Sequence, residues 1–420
     1  MNILFVCHRF PFPPNRGGKI RPFHMIRHLA QKHFVAVASL AHTDQELQEG
    51  LGLKSYCQEV IAEVLPTSVR WVQASRAVPT RRPSSVTYFW SPQLYRRVQE
   101  LCRRIQFDIV FVHCAFAAQY VIDLRAGFRV LDFGDLDSAK WSDYSRHRAW
   151  PLRFGYQLES RKLRAYEKEL ARQFDFCTFT TEGELEEFKA LGVPVPCAAI
   201  PNGVDAGYYS PRRGRCVDSA VLVFLGRMDY FPNVDGIVHF ARNVLPSIRQ
   251  RVPKAELRIV GTNPTQAVRE LARLPGISVT GHVADVRPWL EDAALAVVPL
   301  RVARGTQNKI LQCLALGIPV VATSQAAKGV QAVPGRDLLV ADDSERLAEL
   351  VVEALQSPEL RERLAKAGRR QVETAHDWLV SMKLLDDLID LSRSAPGGPV
   401  QEAGQAGIQS GSRDPARTPA

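Results

Sequence analysis

Eight cysteines are scattered singly through 420 residues, and none forms a C-x-x-C or a Cys/His pair at zinc spacing. They read as reduced core thiols of an intracellular protein. H-E-x-x-H is missing, and Asp132, Asp135 and Asp137 lack the spacing of a calcium loop, so no metal and no other cofactor is expected. No stretch reaches the roughly 18 apolar residues that a membrane span needs. The first apolar run, 3–7, gives way to His8 and Arg9, too soon for a secretory leader. There is no block of Lys and Arg, and no RNP, zinc-finger or helix-turn-helix signature. The excess of 54 Lys+Arg over 44 Asp+Glu, a net +10, is spread over the chain and does not point to nucleic acid. These absences leave a cytoplasmic protein whose only approach to lipid is a membrane surface.

What is present suits two packed domains. The composition is 46% hydrophobic and 23% charged, and the length exceeds one ordinary core. The stretch 297–323, VVPLRVARGTQNKILQCLALGIPVVAT, carries the clearest local logic. An apolar, β-branched run ending at Pro299 predicts a buried parallel strand. A polar loop, 301–306, leads into a helix whose apolar positions Ile310, Leu311, Leu314 and Ala315 recur at helical spacing. Gly317 closes that helix, and Pro319 forbids its continuation before the strand starting at Val320. A strand, a glycine loop and a helix N-terminus favour an anion, because free N–H groups and the helix dipole face it together. Lys309 adds a full positive charge, and Gln312 follows on the same face. The same pattern also fits a plain β-α-β unit with a solvated basic edge.

The runs P-L-R, G-T-Q-N-K-I-L-Q and A-L-G-I-P-V-V-A-T resemble the nucleotide-sugar site of glycosyltransferase family 4, retaining enzymes of the GT-B fold. The resemblance covers roughly residues 1–392. It implies an α/β chain with two Rossmann-like domains facing a cleft, 1–203 on the acceptor side and 204–375 on the donor side. A helix over 376–393 would cross back to the first domain, and the Gly/Pro/Ala/Gln-rich residues 394–420 would form a disordered tail.

In the first domain, strand 2–7 runs into the loop HRFPFPPNRGGK, a helix over 20–32 and a strand over 34–40. The resemblance sets the backbone of Gly17 and Gly18 against the donor diphosphate, where a Cβ would collide. Strand 109–112 ends at His113. A lone histidine there is readily a packed residue, but the family places one near the acceptor and the transferred sugar. Asp132, Asp135 and Asp137 read as loop hydrogen-bonders, with Asp135 also an acceptor contact. The region 141–172 interleaves Arg146, Arg148, Arg153 and Arg164 with Trp150, Phe154 and Tyr156. It fits an anionic bilayer and equally a solvated helix whose arginines pair with Glu159, Glu167 and Glu169.

I-P-N-G-V-D, 200–205, resembles the family's hinge, and the second domain restarts with a strand over 220–225. Arg227 at its end looks like the arginine that grips the donor diphosphate. Arg227, Lys309 and the backbone at Gly305 and Thr306 would stabilise the departing nucleotide. Many relatives carry a lysine shortly after that arginine, whereas Tyr230-Phe231-Pro232-Asn233 has none. A helix over 234–251, strands over 256–261 and 277–280, and an intervening helix follow. His282 and Val283 match where relatives contact the nucleobase. The family's two glutamates, eight positions apart, are replaced by Arg304 and Gln312. Both positions fall in the donor site. Gln312 can still accept a ribose hydroxyl, but without charge, so a weaker hold on the nucleotide is expected.

The implied activity is metal-independent, retaining transfer of a hexose from a nucleotide sugar, a substrate and not a cofactor, to a glycan or lipid-linked acceptor. The N-terminal loop, the D-F-G-D segment and the R-G-T-Q-N-K variant most resemble a sugar transferase of bacterial exopolysaccharide and PEP-CTERM/exosortase systems. Two other readings stay open: a nucleotide-sugar epimerase of GT-B fold, and a nucleotide-sugar-binding protein of little or no turnover, which Gln312 favours.

Overall fold

A computed structural model of the chain describes residues 1–124, 127–212 and 217–394. The expected tail from 395 onward, and Cys216, lie outside the described residues. Near-continuous apolar runs form strands buried on both faces, and these assemble into two fully parallel sheets. The first sheet contains β1 (Asn2–Cys7), β2 (Phe34–Ala41), β3 (Glu59–Val64), β4 (Ile109–His113), β5 (Phe128–Gly134), β6 (Phe176–Phe179) and β7 (Cys197–Ala199). Its order is β3-β2-β1-β4-β5-β6-β7. The second contains β8 (Asp218–Leu225), β9 (Glu256–Val260), β10 (Ile277–Val279), β11 (Ala293–Val298), β12 (Val320–Ala322) and β13 (Leu339–Val340), in the order β10-β9-β8-β11-β12-β13.

Both sheets reverse direction of growth beside their first strand. Ligands of such sheets bind beyond the carboxyl ends of the strands at that reversal, here between β1 and β4 and between β8 and β11. The sheets are joined at Val204, which bridges Asp377. A Cβ on Gly203 would stand 2.7 Å from the Trp378 ring, so the crossing needs a residue without one. Helix Trp378–Ser394 then returns to the first domain, where Trp378, Met382, Leu385 and Ile389 join the core beneath Phe5 and Phe23. Trp378 stacks on His24 at 4.3 Å, and Asp386 receives His28 at 2.8 Å and Lys32 at 3.2 Å.

Several elements depart from the local reading. The first helix spans Gly17–Leu29, so both glycines lie in its opening turn instead of before it. The expected helix over 234–251 is three pieces, Phe231–His239, a π turn Phe240–Val244, and Leu245–Arg251. Pro246 lacks the N–H that a continuous α ladder requires, which accounts for the extra residue in that turn. The basic region divides into helices Asp137–Arg146 and Leu152–Ala171. Two of its glutamates do not pair with arginine. Glu159 accepts the N–H groups of Ser84 and Ser85, and Glu167 that of Ser138, so each carboxylate caps another helix.

Candidate active site

The donor-side wall is built at the reversal between β8 and β11. Gly226 leaves β8 with φ +155°, and a Cβ there would come within 2.7 Å of Asn233 Nδ2. Asn233, 3% exposed, donates Nδ2 to the carbonyl of Arg227 at 2.8 Å. Its Oδ1 accepts from Lys309 Nζ at 2.8 Å. One amide thus ties the Arg227 turn to Lys309. Lys309 is 9% exposed and stands 5.5 Å from the Phe224 ring; no carboxylate pairs with it among the described residues. Burial lowers its pKa from 10.5 to about 8, so its charge is held at a cost in free energy near neutral pH. Arg227 lies at the rim, paired with Asp229, Nε to Oδ1 3.0 Å.

Helix Asn308–Ala315 follows the glycine loop. At its N-terminal end, Thr306 Oγ1 in the loop and Asn308 Oδ1 in the first turn are buried without a hydrogen-bond partner, the condition of groups that await a ligand or water. Gly305 has φ +61°, and a Cβ there would collide with the carboxylate of Asp135. Asp135 also accepts from Thr180 Oγ1 at 2.8 Å. Across the cleft, a Cβ on Gly17 would approach Asn308 Nδ2 to 3.7 Å, and one on Gly18 would meet nothing within 4 Å. Two helix N-termini therefore face each other across the cleft, beside a buried ammonium.

The acceptor-side wall is organised by Asp132, which is fully buried at the end of β5 and not in a loop, as its sequence context suggests. It receives Arg21 in a two-pronged pair (Nη2–Oδ1 2.8 Å, Nε–Oδ2 2.9 Å), Thr178 Oγ1 at 2.8 Å and His113 Nδ1 at 2.7 Å. Burial alone would raise the pKa of Asp132. The Arg21 guanidinium and the His113 hydrogen bond overcome it and hold the carboxyl well below the usual range. His113, 7% exposed, has its ring orientation fixed by this bond, and Nε2 is the nitrogen that Asp132 does not engage.

Other expected site residues lie elsewhere. Arg304 is drawn across the cleft to Asp143 (3.3 Å), Glu184 (3.4 Å) and Glu187, not toward Arg227 and Lys309. Gln312 donates Nε2 to Tyr209 Oη at 2.9 Å, leaving its carbonyl oxygen as the remaining polar atom. His282 is exposed in the loop after β10, and Val283 packs on the second core. Asn233, Asn308 and the Arg21–Asp132 pair went unmarked in the local reading. Asn308 could have been found from its place in Q-N-K; Arg21 and Asp132 stand 111 residues apart and offer no local signal.

The walls touch in the described structure. Tyr144 and Tyr230 hydroxyls lie 2.7 Å apart, and the Arg148 guanidinium covers Phe231 at 4.2 Å. A polar cavity of about 520 Å³ opens beside Arg304 and Gly305, bordered by Asp143, Arg164, Glu187 and Lys328; Arg227, Lys309 and His113 do not line it. Among the described residues no helix is long and apolar enough to cross a membrane, and no group of three or more His, Cys, Asp or Glu is placed to hold a metal.

The sequence matches two family models: Glycosyltransferase Family 4 over residues 16–208, and Glycosyl transferases group 1 over 219–357. It is 24% identical over 254 residues to a GDP-mannose-dependent monoacylated α-(1-6)-phosphatidylinositol monomannoside mannosyltransferase of Corynebacterium glutamicum, covering 53% of this chain and 64% of that one. A GDP-mannose-dependent α-(1-6)-phosphatidylinositol monomannoside mannosyltransferase of Mycobacterium tuberculosis is 28% identical over 240 residues, 51% of this chain and 61% of its own. The match thus spans less than two thirds of the curated relatives. Among solved structures, sucrose-phosphate synthase from Thermosynechococcus elongatus superposes with a TM-score of 0.68 at 15% identity, over 94% of this chain and all of its own. HepE of Anabaena, in complex with UDP, gives 0.65 at 13% identity, over 93% of this chain and 100% of that one. Two parallel α/β sheets, a returning C-terminal helix and these structural neighbours give the chain the GT-B fold, its first part similar to the Glycosyltransferase Family 4 model and its second to the Glycosyl transferases group 1 model.

Proposed function

We propose that the chain transfers a hexose, with retention of configuration, from a nucleoside diphosphate sugar to a hydroxyl of a glycan or lipid-linked acceptor. The observation that carries this reading is Lys309: buried, without a carboxylate partner among the described residues, and joined through Asn233 to the Arg227 turn. A diphosphate at the facing helix N-termini supplies the counter-charge that the site lacks, and the developing negative charge on the leaving nucleotide strengthens the interaction. Arg227, on release from Asp229, adds a second cation. These cations do the work that a metal does elsewhere. His113, held by Asp132, presents Nε2 toward the reacting sugar and acceptor. Gln312 offers its carbonyl oxygen to the ribose. The relatives named for GDP-mannose and the neighbour bound to UDP make GDP-mannose and UDP-glucose the first donors to test.

A cytoplasmic protein of exopolysaccharide assembly, associated with the PEP-CTERM system and attached to the membrane surface, is part of the same proposal. Its support is the turn between the basic helices, where Trp150 (83% exposed), Leu152 and Phe154 stand free beside Arg146, Arg148 and Arg153. Apolar side chains flanked by arginine suit an anionic headgroup layer. Sedimentation with vesicles should rise with anionic lipid and fall with salt.

The transfer itself is tested with Lys309→Ala. Removing one electrostatic stabiliser of the leaving group should lower turnover on the order of 100-fold. Unchanged turnover at saturating donor would remove Lys309 from the diphosphate site.

A further inference from the structure

Arg9 follows β1 at the first domain's sheet reversal, on the cleft side, and no part of the transfer reading uses it. Its guanidinium lies 6.0 Å from the Phe89 ring, and its Nε is buried without a hydrogen-bond partner. Phe89 stacks on Phe116 at 5.4 Å, and His8 packs edge-on against both rings. His8 in turn lies 6.0 Å from the ring of His113 and has its own Nδ1 buried and unpartnered. Arg9 therefore stands one histidine away from His113, on an aromatic wall.

The charge around it is lopsided. Arg70, fully buried, shares the Phe89 ring at 5.6 Å and gives its hydrogen bonds to the carbonyls of Leu65 and Ala41, neither of which is charged. His42 receives Arg70 at 3.5 Å, and burial and then Arg70 push its pKa down to about 4, so it is neutral near pH 7 and supplies no counter-charge. The carboxylates in range are engaged elsewhere. Glu46 holds Arg16 at 2.8 Å and Lys19 at 2.7 Å; Asp137 faces Cys114 Sγ at 3.7 Å and Lys140 at 3.9 Å. Arg9 is half-buried, its Nε is buried without a partner, and among the described residues no carboxylate forms an ion pair with it, so an anionic ligand would complete it. Its planar fork suits phosphate and carboxylate, and the flanking aromatic rings suit the apolar face of whatever carries them.

We propose that Arg9 anchors an oxyanion, phosphate or carboxylate, carried by the acceptor close to the hydroxyl that receives the sugar. This rests on the transfer reading above and narrows its acceptor to an anionic one. The opposite wall would hold the donor's diphosphate at Lys309, so the cleft has two anion sites with separate occupants.

The test uses the whole chain with the donor site saturated by UDP or GDP, whichever binds. Three probes with a common three-carbon skeleton are then titrated by calorimetry: glycerol 3-phosphate, glycerate and glycerol. Phosphate and carboxylate arms show which oxyanion is preferred, and glycerol measures binding without charge. The anionic probes should bind and glycerol should not. Arg9→Gln should weaken the anions roughly tenfold or more, with nucleotide binding and the melting temperature retained as signs of a folded site. Arg9→Lys should fall between, because it keeps the charge and loses the fork. Equal binding of glycerol, no binding of any probe, or anion binding that survives Arg9→Gln overturns the inference. So does displacement of the nucleotide by glycerol 3-phosphate, which would put the anion in the diphosphate site. A chain that binds nucleotide yet shows any of these keeps the transfer reading. One that binds neither UDP nor GDP loses both.

Discussion

The two walls of the cleft handle buried charge in opposite ways. On the acceptor side, Asp132 is surrounded by partners, with Arg21, Thr178 and His113 all bonded to one carboxylate. On the donor side, Lys309 meets an amide and a ring, and no carboxylate pairs with it among the described residues. A compensated charge fixes geometry. An uncompensated one is held at a cost and is relieved by a ligand. The first wall therefore fixes the orientation of His113, and the second leaves an ammonium whose burial costs free energy.

The largest effect should come from breaking the frame. Asp132→Ala leaves Arg21 buried without its counterion and should destabilise by about 3–5 kcal/mol, read as a drop in the urea midpoint. A loss within the error of the midpoint would mean that the pair contributes nothing the fold needs. Lys309→Met should do the reverse: stability equal or higher, because a desolvated ammonium is replaced by an apolar chain of similar length, and nucleotide affinity much lower. A Lys309→Met protein as destabilised as Asp132→Ala would erase the difference between the walls.

Proton titration sharpens the same contrast. Lys309 has its folded pKa lowered to about 8 from 10.5, so it is charged below about 8 and neutral above. Affinity for UDP or GDP should be flat below that pH and fall as pH rises through it. The ligand-free protein should gain this residue's share of stability between about 8 and 10.5, where the unfolded chain binds the extra proton. A nucleotide affinity that is level from pH 7 to 10 would show that the ammonium is not what the nucleotide meets.

Glu167 provides the acidic counterpart. Burial raises its pKa to about 8 from 4.5, so the native state holds a proton there that the unfolded chain has released. Its contribution is complete below 4.5 and lost as pH rises through about 8. Glu167→Gln keeps the acceptor for the Ser138 N–H and should flatten the stability profile between those limits. The smallest effect is expected at the contact between walls. Tyr144→Phe removes one hydrogen bond to Tyr230 and should cost about 0.5–1.5 kcal/mol at most, best seen as faster exchange of amides in helix Asp137–Arg146.

The strand, loop and helix around Lys309 were legible in the sequence because they are neighbours in the chain. Gly305, Thr306 and Lys309 fall within one loop and the helix it starts, and local propensity and a dipole suffice to predict an anion site. Even there, Arg304 was misleading: its side chain is long enough to leave its own loop, and the carboxylates of Asp143, Glu184 and Glu187 that it meets belong to the other domain. Gln312 likewise meets Tyr209, 103 residues away.

By itself, the sequence determined the alternation of strand and helix, the parallel sheets that follow from apolar runs without polar faces, and the place of Lys309 at a helix start. These depend on interactions between residues a few positions apart. Which charges are compensated was decided only by the tertiary structure. Arg21 reaches Asp132 and Ile200, 111 and 179 positions away, whereas Arg9, twelve residues before Arg21, forms no ion pair with a carboxylate among the described residues. Both are arginines in a polar N-terminal segment, and nothing local tells them apart. Electrostatic energy depends on distance and dielectric in the folded chain, and folding sets both.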